Sequence, residues 1–144
     1  MMNTDIKSIL EEKGVFVSTT SGVSMMPMLR DRRDTIVIKP CTERPRKRDV
    51  VLYLRDDGYV LHRIIGERAD GFVIRGDNCV AKEFGITEDM IIGRLCEFYR
   101  DEERVDMSRL SYRAYSAAIC WLNPILTLFH RIKCKLCASR KRKN

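Results

Sequence analysis

Val50-Val51-Leu52-Tyr53-Leu54, followed after Arg55-Asp56-Asp57-Gly58 by Tyr59-Val60-Leu61-His62-Arg63-Ile64-Ile65-Gly66, is the stretch that decides the fold class. Both runs are rich in β-branched and aromatic residues, which suit a pleated, half-buried surface. The Asp-Gly pair between them supplies the positive φ of a tight hairpin turn. Outward from this hairpin the same texture recurs. Extended runs are expected at Val15–Thr19, Thr35–Lys39, Asp49–Leu54, Tyr59–Ile65, Gly71–Arg75 and Met90–Tyr99, with Gly, Pro, Asp and Asn in the gaps. Six strands in so short a span predict a mainly β domain of the α+β class.

Helical spacing is confined to the two ends. Thr4–Lys13 carries Ile6, Ile9 and Leu10 on one stripe, with Asn3 or Thr4 as its cap and Gly14 as its stop, and is expected to lie on the sheet. From Asp106 the period changes again: Leu110, Ala114, Ala117, Ala118, Trp121 and Leu122 recur at helical intervals until Asn123-Pro124 breaks or kinks the run. The expected organisation is therefore a β-domain with its N-terminal helix over 1–105, then an amphipathic helical segment and basic tail over 106–144. The uncharged run from Tyr115 to His130 has 16 residues. At about 1.5 Å per residue it falls short of a hydrocarbon core of about 30 Å.

The chain of 144 residues carries a formal charge of +7, and its distribution matters more than its size. Residues 131–144 hold seven basic residues and no acid, which leaves 20 basic and 20 acidic residues in positions 1–130. The body is neutral and the tail carries the excess. Such a tail is a solvated arm or a contact for an anionic membrane surface, and nucleic acid is the less favoured partner. No apolar leader opens the sequence, so the six cysteines are expected to be reduced thiols in a cytoplasmic setting, with a peripheral place at the inner membrane face as the alternative. Cys134 and Cys137 have the spacing of half a zinc or redox site, but nothing supplies the other half, and neither metal nor cofactor is expected.

Three short segments carry chemistry, in chain order. Ser24 follows Gly22 and precedes Pro27 in Ser21-Gly22-Val23-Ser24-Met25-Met26-Pro27-Met28; His62 lies on the second arm of the hairpin; Asp77 sits in the turn Arg75-Gly76-Asp77-Asn78. A serine hydroxyl is a poor nucleophile at neutral pH, a histidine can take its proton, and a carboxylate can hold the imidazole in the right tautomer.

Taken together with Arg48-Asp49-Val50-Val51-Leu52-Tyr53 and Ile92-Gly93-Arg94-Leu95, these segments resemble the serine peptidase superfamily that joins type I signal peptidases to the self-cleaving SOS repressors. The resemblance runs from Leu10 to Leu95. It implies a signal-peptidase-like β-domain in which Ser24 is the nucleophile and His62, rather than the lysine of the bacterial enzymes, is the general base. It implies Asp77 as the orienting acid, with Glu83 near the position of a second family carboxylate. Gly22 stands where signal peptidases often have a serine, which leaves the Ser24 N–H as the oxyanion donor that can be named. Met25 and Arg63, beside the two catalysts, are supporting candidates. Two turns that are Gly-Asp in the family are Arg33-Asp34 and Arg48-Asp49 here.

The expected activity is a serine endopeptidase acting on a peptide or precursor protein. The alternative is an inactive module of the same fold that holds extended peptides by strand addition. A DNA-bound self-cleaving repressor is disfavoured, because only 23 residues precede Ser24 and the basic excess lies at the far end.

Overall fold

A computed structural model describes residues 5–55 and 58–122. The described residues form one antiparallel sheet of eight strands with a helix near each end, a mainly β fold. The strands are β1 (Phe16–Thr19), β2 (Thr35–Lys39), β3 (Val50–Arg55), β4 (Gly58–Arg68), β5 (Gly71–Arg75), β6 (Glu83–Ile86), β7 (Ile91–Arg100) and β8 (Glu103–Val105), and the helices are α1 (Ile6–Lys13) and α2 (Leu110–Trp121). Across the sheet the order is β1-β2-β7-β3-β4-β5-β6, with β8 paired to β7.

The expected β3–β4 pairing forms in the register that places Arg55 opposite Gly58, while Asp56 and Asp57 lie outside the described residues. Two strands exceed the six read from sequence. β6 and β8 are short and charged, and only their pairing to β5 and β7 makes them strands. The helix cap also differs from expectation. Asp5 accepts from the Lys7 N–H and starts α1, and Gly14 ends it at φ 68° with its N–H on the Leu10 carbonyl.

Side-chain alternation along β3 builds a core on each face of the sheet. Val50 and Leu52 join Leu10, Met28, Ile38 and Phe98 on one side, whereas Val51 and Tyr53 join Ile64, Phe72 and Ile74 on the other. Leu10, 2% exposed, fastens α1 to the first core; burying such a side chain is worth about 1.5–3 kcal/mol.

α2 lies on that same face, where Tyr112 and Tyr115 pack against the core and polar contacts add to the hold. Arg63 Nη1 donates to Ser116 Oγ (2.7 Å), Tyr115 Oη to Asp77 Oδ2 (2.9 Å) and Arg75 Nη2 to the Ile119 carbonyl (3.0 Å). Among the described residues no helix is long and apolar enough to cross a membrane.

Of the two turns expected to lack glycine, Arg48-Asp49 puts Arg48 itself in the left-handed region at φ 84°. At the other, the positive φ falls one residue earlier than the Arg33-Asp34 pair, on Arg32 at 54°.

Candidate active site

Ser24 stands on a loop between β1 and β2 that is tied to itself at several points. The Thr20 N–H donates to the Asp34 carbonyl (2.9 Å), Thr20 Oγ1 to the Arg30 carbonyl (2.5 Å) and the Gly22 N–H to Asp31 Oδ1 (2.7 Å). Gly22 has φ 92°, a conformation costly for a side chain with a Cβ. Beyond Ser24 the loop turns through a cis Met26–Pro27 bond, and Met25, Met28 and Leu29 are buried beneath it. Under the loop, Asp34 is fully buried, with Arg30 donating to it through its backbone N–H, Nε and Nη2. The serine is thus carried on a braced turn.

His62 lies on β4 opposite Val51 and is 7% exposed. Its Nδ1 sits 3.1 Å from Glu83 Oε1 and 3.2 Å from Tyr53 Oη, and Tyr53 donates to the same Glu83 oxygen at 2.7 Å. A carboxylate at Nδ1 fixes the tautomer with the proton there, which leaves Nε2 as an acceptor. Burial holds the His62 pKa below 6.5 in spite of the opposing pull of Glu83, so the imidazole is neutral at pH 7. Burial, together with the hydrogen bond and charge of Glu83, raises the Tyr53 pKa well above its ordinary value and keeps the hydroxyl a donor.

The other ring nitrogen points toward the serine loop. A Cβ placed on Gly76 would stand 3.0 Å from His62 Nε2, 2.6 Å from the Ser24 carbonyl oxygen and 2.8 Å from Cys79 Sγ. Only the bare glycine lets these groups converge. The same turn is bolted to the serine loop, because the Asn78 N–H donates to the Ser24 carbonyl (2.8 Å) and Asn78 Nδ2 to the Val23 carbonyl (3.1 Å). Ser24, His62 and Cys79 line one cleft of about 400 Å³, together with Thr20, Leu61 and Arg55. Burial pushes the Cys79 pKa up, so this neighbour is a thiol.

Asp77 is near but faces elsewhere. Its two oxygens accept from Arg63 Nε (2.7 Å) and Nη2 (2.8 Å), and both side chains are fully buried. Burial works against the Arg63 charge, but the bonds and attraction of Asp77 outweigh it and raise the pKa above its ordinary value. Since successive strand residues point to opposite faces, His62 and Arg63 diverge. The arginine takes Asp77 to the face under α2, and Glu83 supplies the carboxylate at His62 Nδ1.

Of the sequence candidates, Ser24 and His62 share the cleft, Gly22 and Met25 line it, Glu83 joins His62, and Asp77 pairs with Arg63. Sequence does not single out Tyr53 or Cys79, although Tyr53 stands on the strand paired to the histidine's and Cys79 follows the Gly-Asp-Asn turn directly. No cluster of metal-ligating side chains occurs among the described residues, and Cys134 and Cys137 lie outside them.

Compared with family models and with curated proteins, the chain matches none of either.

Proposed function

We propose that this protein is a serine endopeptidase in which Ser24 attacks a peptide carbonyl, His62 is the general base and Glu83 is the carboxylate that orients it. The observation that carries the reading is the two-sided placement of His62: Nδ1 rests on Glu83 and Tyr53, while Nε2 faces the corner formed by the Ser24 loop and Gly76.

As the Ser24 oxygen bonds to the carbonyl carbon, its proton passes to His62 Nε2, and the Nδ1–H to Glu83 contact stabilises the imidazolium. The Ser24 N–H is the donor assigned to the oxyanion. His62 returns the proton to the leaving amine, and a water, deprotonated by the same nitrogen, then releases the acyl group from Ser24. In this scheme Asp77 acts through Arg63 to hold the strand that carries the base.

The substrate is an extended peptide segment. Among the described residues, β5 pairs with β4 only from Arg63 onward, so Tyr59–Leu61 has no strand on its side away from β3, beside the cleft. An open edge of this kind accepts a peptide as an added strand. The same edge favours the second reading, a peptide-binding module without turnover, since strand addition needs no catalyst. A cytoplasmic setting, peripheral to the inner face of the membrane, suits the free thiols Cys41, Cys79, Cys96 and Cys120 and the basic tail.

The test compares new protein N-termini, by terminal-peptide mass spectrometry, in cells carrying the wild type and in cells carrying Ser24→Ala at matched expression. Termini that vanish with Ser24 establish the peptidase and name its substrate. An unchanged set, with the variant folded, selects the binding module.

A further inference from the structure

Away from the catalytic cleft, on the face that carries α2, a groove of about 920 Å³ runs between the helix and the ends of β4 and β6. Its walls bring together Lys47, Arg48, Arg68, Lys82, Phe84 and Trp121, all exposed. Trp121 is 76% exposed and Phe84 47%, which is unusual for side chains of their size. Arg68 lies over the Phe84 ring at 4.4 Å, so the aromatic and the cation form one surface. Among the described residues the groove has a single acid, Glu67, and that carboxylate is already paired with Arg44. Ile65, Val73 and Ala117 form an apolar floor behind this charged rim.

We propose that this groove is the surface by which the protein docks on an anionic lipid bilayer, with Trp121 and Phe84 entering the headgroup layer and the four basic side chains meeting lipid phosphates and carboxylates. Tryptophan and phenylalanine side chains beside lysine and arginine are the residue types that a bilayer interface solvates on both counts, apolar and charged. Charge complementarity selects an anionic membrane. The sequence beyond the groove selects lipid over nucleic acid. After Trp121 it continues through Ile125, Leu126, Leu128 and Phe129 before the basic residues begin at Arg131, an apolar stretch that acyl chains accommodate and a phosphate backbone does not. This docking is independent of whether Ser24 turns over a substrate.

Trp121 is the chain's one tryptophan, so its fluorescence reports on the surroundings of this side chain, and a variant of the groove separates it from the tail. The full-length protein is titrated with vesicles of phosphatidylcholine, with and without phosphatidylserine, and with a single-stranded oligodeoxynucleotide. Emission is expected to shift to the blue only with phosphatidylserine present, to be quenched by bromine-labelled acyl chains, and to lose the shift as salt is raised. Each basic residue near an anionic surface is worth about fivefold in partitioning. The double variant Lys47→Glu/Lys82→Glu, with melting unchanged, is therefore expected to bind at least about 25-fold more weakly. Three results would overturn the proposal: emission unchanged by anionic vesicles; undiminished binding of the double variant, which would assign the membrane contact to the C-terminal tail; or a response to the oligonucleotide without one to vesicles.

Discussion

Exchanging each of the two acids for its amide tests the proposal that Glu83 orients His62 while Asp77 holds the fold through Arg63. Glu83→Gln removes the charge from the oxygen 3.1 Å from His62 Nδ1, in a side chain that is 23% exposed and keeps an amide acceptor there, so the fold is expected to lose no more than about 1.5–3 kcal/mol, the worth of a hydrogen bond to a charged group. In the proposed mechanism the imidazolium then loses its counter-charge, and the amide can also present N–H to Nδ1 and favour the wrong tautomer. Losses of the orienting carboxylate in serine peptidases reach about 10⁴ in kcat, and a fall of about 10² or more is expected here. Asp77→Asn behaves in the opposite way. Arg63 is fully buried and takes both Asp77 oxygens, and breaking one half of such a pair costs about 3–5 kcal/mol. For a chain of this size that lowers Tm by roughly 10 °C or more. Below its own melting point, the Asp77→Asn variant is expected to keep kcat within about tenfold of wild type. The assays are cleavage of a substrate identified from the Ser24-dependent termini and melting by circular dichroism. If Asp77→Asn abolishes turnover with Tm unmoved while Glu83→Gln is active, the assignment of Glu83 is refuted.

Three further outcomes follow from single features. Gly76→Ala would put a methyl 2.6 Å from the Ser24 carbonyl and 3.0 Å from His62 Nε2, displacing one of them by several tenths of an ångström; activity should fall about 10²-fold, while Gly66→Ala, whose Cβ meets its neighbour at 4.0 Å, should match wild type in the same assay. Arg48→Gly relieves a left-handed residue at φ 84° while keeping its backbone bonds to Ile64 and Arg63, and should raise stability by up to about 1 kcal/mol in a denaturant titration, whereas Arg48→Ala should not. Because the folded-state pKa of His62 lies below 6.5, acid must go further to protonate it than in the unfolded chain. The acidic limb of the kcat/KM profile should therefore inflect below about 6.5 and disappear from residual activity in His62→Gln. By the same linkage, the contribution of neutral His62 to stability is complete above about 6.5 and declines as pH falls toward the folded-state value.

The parts of the molecule that could be read in advance are those where local chemistry and final structure agree. Val50–Leu54 and Tyr59–Ile65 have the residues of strands and pair as expected, although Gly58, read as the second residue of the turn, begins β4 opposite Arg55. Glu83–Ile86 has a charged start and an internal glycine, and Glu103–Val105 is three residues with two charges; both are strands only because a partner supplies the ladder. The cap moved to Asp5 because a side chain reaching the Lys7 N–H decides a helix start, and several neighbouring residues could have done so. Ser24 and His62 were legible as residue types in sequence. Which carboxylate meets the histidine was not, because it depends on the face to which Arg63 draws Asp77 and on the β5–β6 pairing that sets Glu83 opposite Ile74.

The placement of His62 and Arg63 on consecutive positions of β4 also acts as a check on assembly. A slip of β4 by one residue against β3 would exchange the faces of the two side chains. The guanidinium would enter the cleft, and Asp77 would be left buried without its cation, as would the Ser116 hydroxyl that Arg63 now meets. An imidazole on that face cannot span the two Asp77 oxygens that Arg63 Nε and Nη2 hold together. Only the register that presents His62 to the cleft also neutralises the buried acid, so a misaligned hairpin is penalised before it can pass for a native one.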